Sequence, residues 1–151
     1  MSESETHNRL STLLLTPGGG TGIGKAISEE LLSLGASVVI ASRDEDKVRA
    51  AAGHMARLGR VEAARCNIRR EEEVSSQTLF QITHGHDAQV RSLVQFTLDK
   101  FGKLDFLVNN GGGQFPCGAA DMSLKGWSAV VETNLTGTWL MCRSAAAACF
   151  R

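Results

Sequence analysis

Residues 12–24 read Thr-Leu-Leu-Leu-Thr-Pro-Gly-Gly-Gly-Thr-Gly-Ile-Gly. A short apolar run, Thr12 to Leu15, gives way at Pro17 to three consecutive glycines, and the pattern from Gly22 onward is helical. That order, strand then glycine loop then helix, is the phosphate-binding turn of a βαβ unit. Gly18 permits the tight turn, Gly22 lets backbone approach a pyrophosphate, and Gly24 lets helix and strand pack closely. Gly20, Thr21 and Ile23 complete the loop, and the helix N-terminus presents its free N–H groups to the phosphates. The spacing is GxxxGxG. A Walker A loop is excluded, because Lys25 is followed by Ala26 and the glycine spacing differs.

Working outward, the alternation of apolar runs and helical segments predicts a parallel sheet. The helix after the loop is expected to bury Ile23, Ile27, Leu31 and Leu34 and to stop at Gly35. Ser37–Ala41 (SVVIA) is a strand apolar on both faces, as a central parallel strand is. Asp44 caps the next helix, whose buried stripe is Val48, Ala52, Met55 and Leu58, with Gly59 ending it. Val61–Cys66 is the third strand. Val90, Leu93, Val94, Thr97 and Phe101 mark a third helix stopped by Gly102, and Leu104–Val108 is the fourth strand, with Phe106 and Leu107 in the core. From Ser123 the chain is helical, interrupted near Asn134 and Gly137.

The link from the third strand to the third helix is longer than such links usually are, so residues 75–89 are expected to form an inserted surface loop. Within it, His84, His86 and Asp87 have the composition of a metal cluster but too few ligands, so no metal site is expected and Asp87 is assigned as a helix cap. Residues 1–11 are expected to be a variable or disordered N-terminus, and residues 12–151 one domain.

Composition narrows the function. The 151 residues carry 16 Lys+Arg and 16 Asp+Glu, so the net charge is zero and there is no basic field for nucleic acid. No apolar run is long enough for a membrane span. Four cysteines, Cys66, Cys117, Cys142 and Cys149, show no CxxC pairing and read as buried thiols of a reducing, intracellular compartment. Trp127 and Trp139 are expected to pack in the last helices or at a surface between subunits. The sequence holds no tyrosine.

The second strand ends Ala41-Ser42-Arg43. In dinucleotide folds this strand end meets the adenosine ribose, where an acid suits NAD and an arginine suits the 2′-phosphate of NADP. The Ser42 hydroxyl and the Arg43 guanidinium are good phosphate donors, so NADP(H) is the expected cofactor.

These motifs resemble the short-chain dehydrogenase/reductase family over most of residues 15–142. Gly18, Gly22 and Gly24 match its TGxxxGxG loop. Asn67, followed by Ile68, stands where the family places an acid beside the adenine. Asn109-Asn110-Gly111-Gly112 is similar to its NNAG segment, which puts Asn110, Gly111 and Gly112 in the cofactor site. Glu132–Gly137 resembles the helix that carries the catalytic-tetrad asparagine, here Asn134. The resemblance implies a Rossmann-type α/β fold, helices on both faces of a parallel sheet in the order 3-2-1-4, with only the N-terminal half present. The strings GGTGIGKAI, CNIRREEEV and NNGGGQF followed by KGW look like the peroxisomal trans-2-enoyl-CoA reductase branch, with the 2,4-dienoyl-CoA reductases as a second match. That branch implies reduction of the α,β double bond of an enoyl-CoA with hydride from NADPH, and places Gln114 and Phe115 beside the nicotinamide and the acyl chain.

Three departures stand out. Pro17 replaces the threonine of the TG pair, residues 75–89 are extra, and the family's catalytic Ser and Tyr-x-x-x-Lys motif has no counterpart here. The isolated chain is therefore expected to be inactive, binding NADP(H) or associating with itself or with full-length subunits through its last helices. The fourth strand would be an exposed edge, which predicts marginal stability. The family resemblance implies a peroxisomal location, but Cys149-Phe150-Arg151 is not a Ser-Lys-Leu type signal, so the isolated chain is expected in the cytosol.

Overall fold

The computed structural model describes residues 12–69 and 84–149, with side chains described for 17–69 and 87–149. The expected N-terminal tail and residues 75–83 of the expected insertion lie outside the described residues.

β1 (Thr12–Pro17), β2 (Ser37–Ser42), β3 (Val61–Arg65) and β4 (Phe106–Val108) form one parallel sheet in the order β3-β2-β1-β4. β1 pairs with β2 through Thr12↔Ser37, Leu13↔Val38 and Leu14↔Val39, and the register then shifts so that Pro17 meets Ala41. Proline has no N–H for the ladder, so a strand that runs on to Pro17 can do so only with an irregularity there.

The alternation along β2 shows why its apolar run is continuous. Val38 and Ile40 are fully buried in one cluster with Leu32, Val48, Ala51 and Met55, contributed by α1 (Gly22–Ser33) and α2 (Glu45–Met55). Val39 and Ala41 point the other way, into a cluster with Cys66, Ile68, Val90, Leu93, Val94, Leu140 and Met141. That second face is covered by α3 (His84–Phe101) and α5 (Gly137–Cys149), with α4 (Leu124–Val131) between β4 and α5 in the chain. Helices thus lie on both faces, and each fully buried aliphatic side chain contributes about 1.5–3 kcal/mol relative to exposure.

Several expectations are corrected. On α1 the buried residues are Gly24, Ser28 and Leu32, with Ile27 and Leu31 partly buried at the flank. Ile23 is 75% exposed and Leu34 is exposed too. The helix turns its small residues inward because it packs against the glycine loop, where a larger side chain has no room. On α2, Ala51 takes the buried place expected of Ala52, which is only partly buried, as is Leu58. That helix stops at Met55, ahead of Gly59, whose Cα instead lies against Leu32. Asp44 caps α2 as expected, accepting from the Lys47 N–H at 3.1 Å. Its carboxyl is held below the usual range by the hydrogen bond from the Lys47 side chain and the Lys47 N–H.

α3 begins at His84, so residues 84–89 are helical, not part of a surface loop. Asp87 lies inside its first turn, not at its cap, and pairs with Arg91 at 2.5 Å and with Arg143 of α5 at 2.7 Å. The pair with Arg143 ties the two helices of that face together. At the other end of α3, Arg60 donates to the Lys100 carbonyl at 2.7 Å and lies over the Phe101 ring. A cation there complements the negative end of the helix.

β4 is shorter than expected, and Phe106 is 58% exposed at the sheet edge, not core. Trp127 and Trp139 are exposed as well, the latter under the Arg143 guanidinium at 4.4 Å. Of the cysteines only Cys66 is buried, and all four are free thiols. No helix among the described residues is long and apolar enough to cross a membrane.

Candidate functional site

In a parallel sheet all strands end on the same side, so the segments that follow them meet there. The order β3-β2-β1-β4 reverses direction between β1 and β4, and the crevice at that point is where open α/β sheets bind ligands. The Gly18–Thr21 turn leaves β1, Ser42-Arg43 closes β2, Asn67-Ile68 follows β3, and Asn109–Gly113 follows β4.

The glycine loop has the geometry that its sequence requires. Gly18 has φ 99° and Gly22 has φ 51°, backbone conformations that only glycine adopts without strain. A Cβ on Gly22 would meet nothing within 4 Å, so the loop backbone faces open space there. A Cβ on Gly24 would stand 2.5 Å from the Gly18 carbonyl oxygen and closer still to Asn110 Nδ2. Ser28 Oγ, buried one turn further along α1, donates at 2.8 Å to the Gly24 carbonyl and at 3.3 Å to that of Gly19. Thr21 is the N-cap of α1 but its side chain caps nothing, and no acidic residue occupies the first turn. The first-turn N–H groups, at the positive end of the helix dipole, are therefore available to an anion. A cradle of this shape fits the pyrophosphate of a dinucleotide.

The segment after β4 is built into this loop. Asn110 Nδ2 lies 3.0 Å from where a Cβ on Gly18 would be, so the carboxamide fills the space that the glycines leave. Gly111 passes under Pro17, with room for no side chain: a Cβ would be 2.8 Å from the Pro17 carbonyl oxygen. Further on, Asn134 grips Gly113 with both ends of its carboxamide. Oδ1 accepts from the Gly113 N–H at 2.9 Å and Nδ2 donates to the Gly113 carbonyl at 2.7 Å. Asn134 sits in a π-turn, Glu132–Thr136, between α4 and α5. Asparagine is a poor residue for a regular helix interior, and such a widened turn is a frequent mark of a working site.

The residues expected at the adenosine end follow β2 and β3. Ser42 is half-buried, its Oγ accepting from the Asp44 N–H at 3.3 Å, and Arg43 is exposed. With Asp44 engaged by Lys47, the acid nearest this strand end is drawn toward α2. Asn67 forms a local turn, Oδ1 accepting from the Arg69 N–H at 3.0 Å, while its own N–H donates to Gln89 Oε1 at 3.0 Å. The Ile68 side chain is buried against Gly111 and Gly137, so it supports the floor of the crevice.

Ile23 turns its side chain to solvent, leaving only its backbone at the helix N-terminus for a ligand. Gln114 is exposed, and Phe115 is 47% exposed with its ring laid on Gly126. Lys25, which could have added charge to the cradle, pairs with Glu29 at 3.7 Å. Three residues that contact the site's segments carry no role in the sequence reading: Ser28, Gln89 and Gly126. Ser28 sits one turn after Gly24, a small polar residue at a buried helical position, which is a usable signal. Gln89 was hidden by the assignment of its segment to a loop, and Gly126 carries no local signal.

The comparisons agree with this geometry. A sequence model of the family described as enoyl-(acyl carrier protein) reductase matches residues 18–151. The chain belongs to the short-chain dehydrogenase/reductase family, whose members are oxidoreductases that bind a nicotinamide cofactor. It is 36% identical over 131 residues to a peroxisomal 2,4-dienoyl-CoA reductase of Arabidopsis thaliana, covering 87% of this chain and 39% of that protein. It is 34% identical over 137 residues to a hydroxy-methyl-oxo-hexahydroindene-carboxyl-CoA reductase of Mycobacterium tuberculosis, covering 88% of this chain and 45% of the relative. Among solved structures, actinorhodin polyketide ketoreductase with NADPH superposes with a TM-score of 0.78 at 25% identity, over 92% of this chain and 47% of that one. The chain thus spans about half the length, or less, of the proteins it matches.

Proposed function

We propose that the chain is the NADP(H)-binding half of an enoyl-CoA reductase, reducing the α,β double bond of a trans-2-enoyl-CoA. The observation that carries the cofactor part is the open N-terminus of α1 behind Gly22, together with Arg43 at the end of β2. The pyrophosphate rests on the first-turn N–H groups of α1, and the Arg43 guanidinium takes the 2′-phosphate bidentately. When bound, NADPH supplies the hydride. The residues of this chain hold and orient it: Asn110 stiffens the loop, Asn67 borders the adenine, and Asn134 fixes Gly112 and Gly113 beside the nicotinamide.

Four of the relatives are reductases of CoA thioesters by name, which supports the substrate class. The 2,4-dienoyl-CoA reductases among them favour a second reading, a dienoyl-CoA as substrate. With no tyrosine among the 151 residues, the proton donor of a Tyr-x-x-x-Lys mechanism has to come from outside them. On this account the chain by itself binds without turning over, and the exposed Trp127, Leu135 and Trp139 mark the face through which it associates with other subunits. A peroxisomal location belongs to the same proposal, supported by the peroxisomal relatives.

The test is equilibrium binding of a trans-2-enoyl-CoA to the chain saturated with NADP+, with a 2,4-dienoyl-CoA and free CoA as competitors. Displacement by the dienoyl thioester at lower concentration favours the second reading. Displacement by free CoA as effective as by either thioester removes the acyl part of the proposal.

A further inference from the structure

The strings NNGGGQF and KGW are separate in the sequence, but the fold brings them into contact. A Cβ placed on Gly126 would stand 2.8 Å from Cδ1 of Phe115, 3.0 Å from Cε1 and 3.1 Å from Cγ. Gly126 is buried and lies in the first turn of α4, where its N–H donates to the cap residue Ser123 at 3.0 Å. Alanine is the better helix former at such a position, so local structure gives no reason for a glycine. The reason is the ring of Phe115, which lies directly on the helix backbone.

The segment after β4 is therefore pinned at two points along one helical run. Asn134 holds Gly113 at the π-turn, and Gly126 seats Phe115 near the start of α4. Gln114 lies between these two anchors and is carried exposed over the helix. Phe115 keeps its outer face in solvent while its inner face is fixed.

We infer that Gly126 is a positioning residue: by admitting the Phe115 ring it fixes residues 112–118 against α4, and so sets where an acyl chain meets Gln114 and Phe115. The acyl part rests on the proposed function above; the seat itself does not. A methyl group on Gly126 displaces the ring and loosens the segment without touching the glycine loop or Arg43.

Hydrogen exchange of the full chain measures this directly, on the wild type, Gly126→Ala, Phe115→Ala and the double variant. Gly126→Ala is expected to speed exchange of the Gly113 amide, the one in this segment that donates a hydrogen bond, by about fivefold to a hundredfold, the range an overpacking clash produces. Amides of β2 and α2 stay unchanged, and NADPH affinity is retained. In the Phe115→Ala background the added methyl has no further effect, because the ring it would displace is gone. Unchanged exchange in Gly126→Ala, an equal increment in both backgrounds, or faster exchange throughout the protein each overturns the seat. Binding of long- and short-chain enoyl-CoA to the NADP+ complex supplies the second readout: Gly126→Ala is expected to compress the affinity ratio between them. A loosened segment with an unchanged ratio leaves the seat standing and overturns the acyl site.

Discussion

The same substitution, glycine to alanine in a helix, should have opposite effects at Gly24 and at Gly53. Gly53 lies exposed in α2, and a Cβ there meets nothing within 4 Å. Its replacement reduces the freedom of the unfolded chain and improves helix propensity, so Gly53→Ala is expected to stabilise by about 0.5–1 kcal/mol. At Gly24 the same propensity gain applies, but the new methyl stands 2.5 Å from one backbone oxygen and 2.9 Å from a backbone carbon, both of Gly18. Backbone atoms cannot rotate out of the way as a side chain does. Overpacking of this kind costs about 1–3 kcal/mol, so a net loss of up to about 2.5 kcal/mol remains after the propensity gain is subtracted. The propensity gain is common to both variants, so they should differ by the overpacking cost, about 1–3 kcal/mol, or about 2–12 °C in Tm for a chain of this size. Thermal unfolding followed by circular dichroism gives the comparison, and NADPH titration should show affinity lost in Gly24→Ala and kept in Gly53→Ala. A Gly24→Ala protein as stable as Gly53→Ala, with its cofactor affinity intact, would refute the packing of loop against helix described above.

Other outcomes follow from single contacts. Arg43→Gln should weaken NADPH by about tenfold to a hundredfold, the worth of a charge-assisted hydrogen bond, and leave NADH unchanged; equal losses for both cofactors would deny Arg43 its role. Asn134→Ala removes both hydrogen bonds to Gly113, and exchange of the Gly113 amide should rise while Tm falls by only a few degrees, about 2–4 °C per kcal/mol. Titration with a disulfide reagent at neutral pH should find Cys117, Cys142 and Cys149 reactive and Cys66 slow, since only Cys66 is buried. Burial pushes the Cys66 thiol from 9.0 up to about 11, favouring the neutral form in the folded protein. That contribution is fully present below pH 9 and is lost as pH rises toward 11, on the order of 2 kcal/mol, so Cys66→Ala should flatten the decline of Tm across that window.

The sequence makes β1, β2 and β4 legible because each is an apolar run followed by glycine, proline or a cap. The order β3-β2-β1-β4 follows from the family resemblance, and the double-sided burial of β2 from SVVIA itself. The errors lie where tertiary contacts override periodicity. Ile23 and Leu34 fit a helical stripe, yet α1 buries Gly24 and Ser28 because the glycine loop demands close approach. Phe106 is apolar in a strand, but β4 is the sheet edge and leaves this ring mostly exposed. Asp87 has the sequence signal of a helix cap but lies within the first turn of α3, where it pairs with Arg143 across the helices, and Gln89 accepts from the Asn67 N–H. For the site, type and order of residues identify the glycine loop, Asn110 and Asn134. What they cannot display is a contact between distant segments, such as Phe115 upon Gly126.

We propose that these residues form a working NADP(H) cradle with Arg43 at its adenosine end. Fluorescence titration of the purified chain with NADPH, and with NADH as the control, tests it most directly. Saturable binding with NADPH clearly preferred is the predicted result. No binding, or binding that does not distinguish the two cofactors, would contradict it.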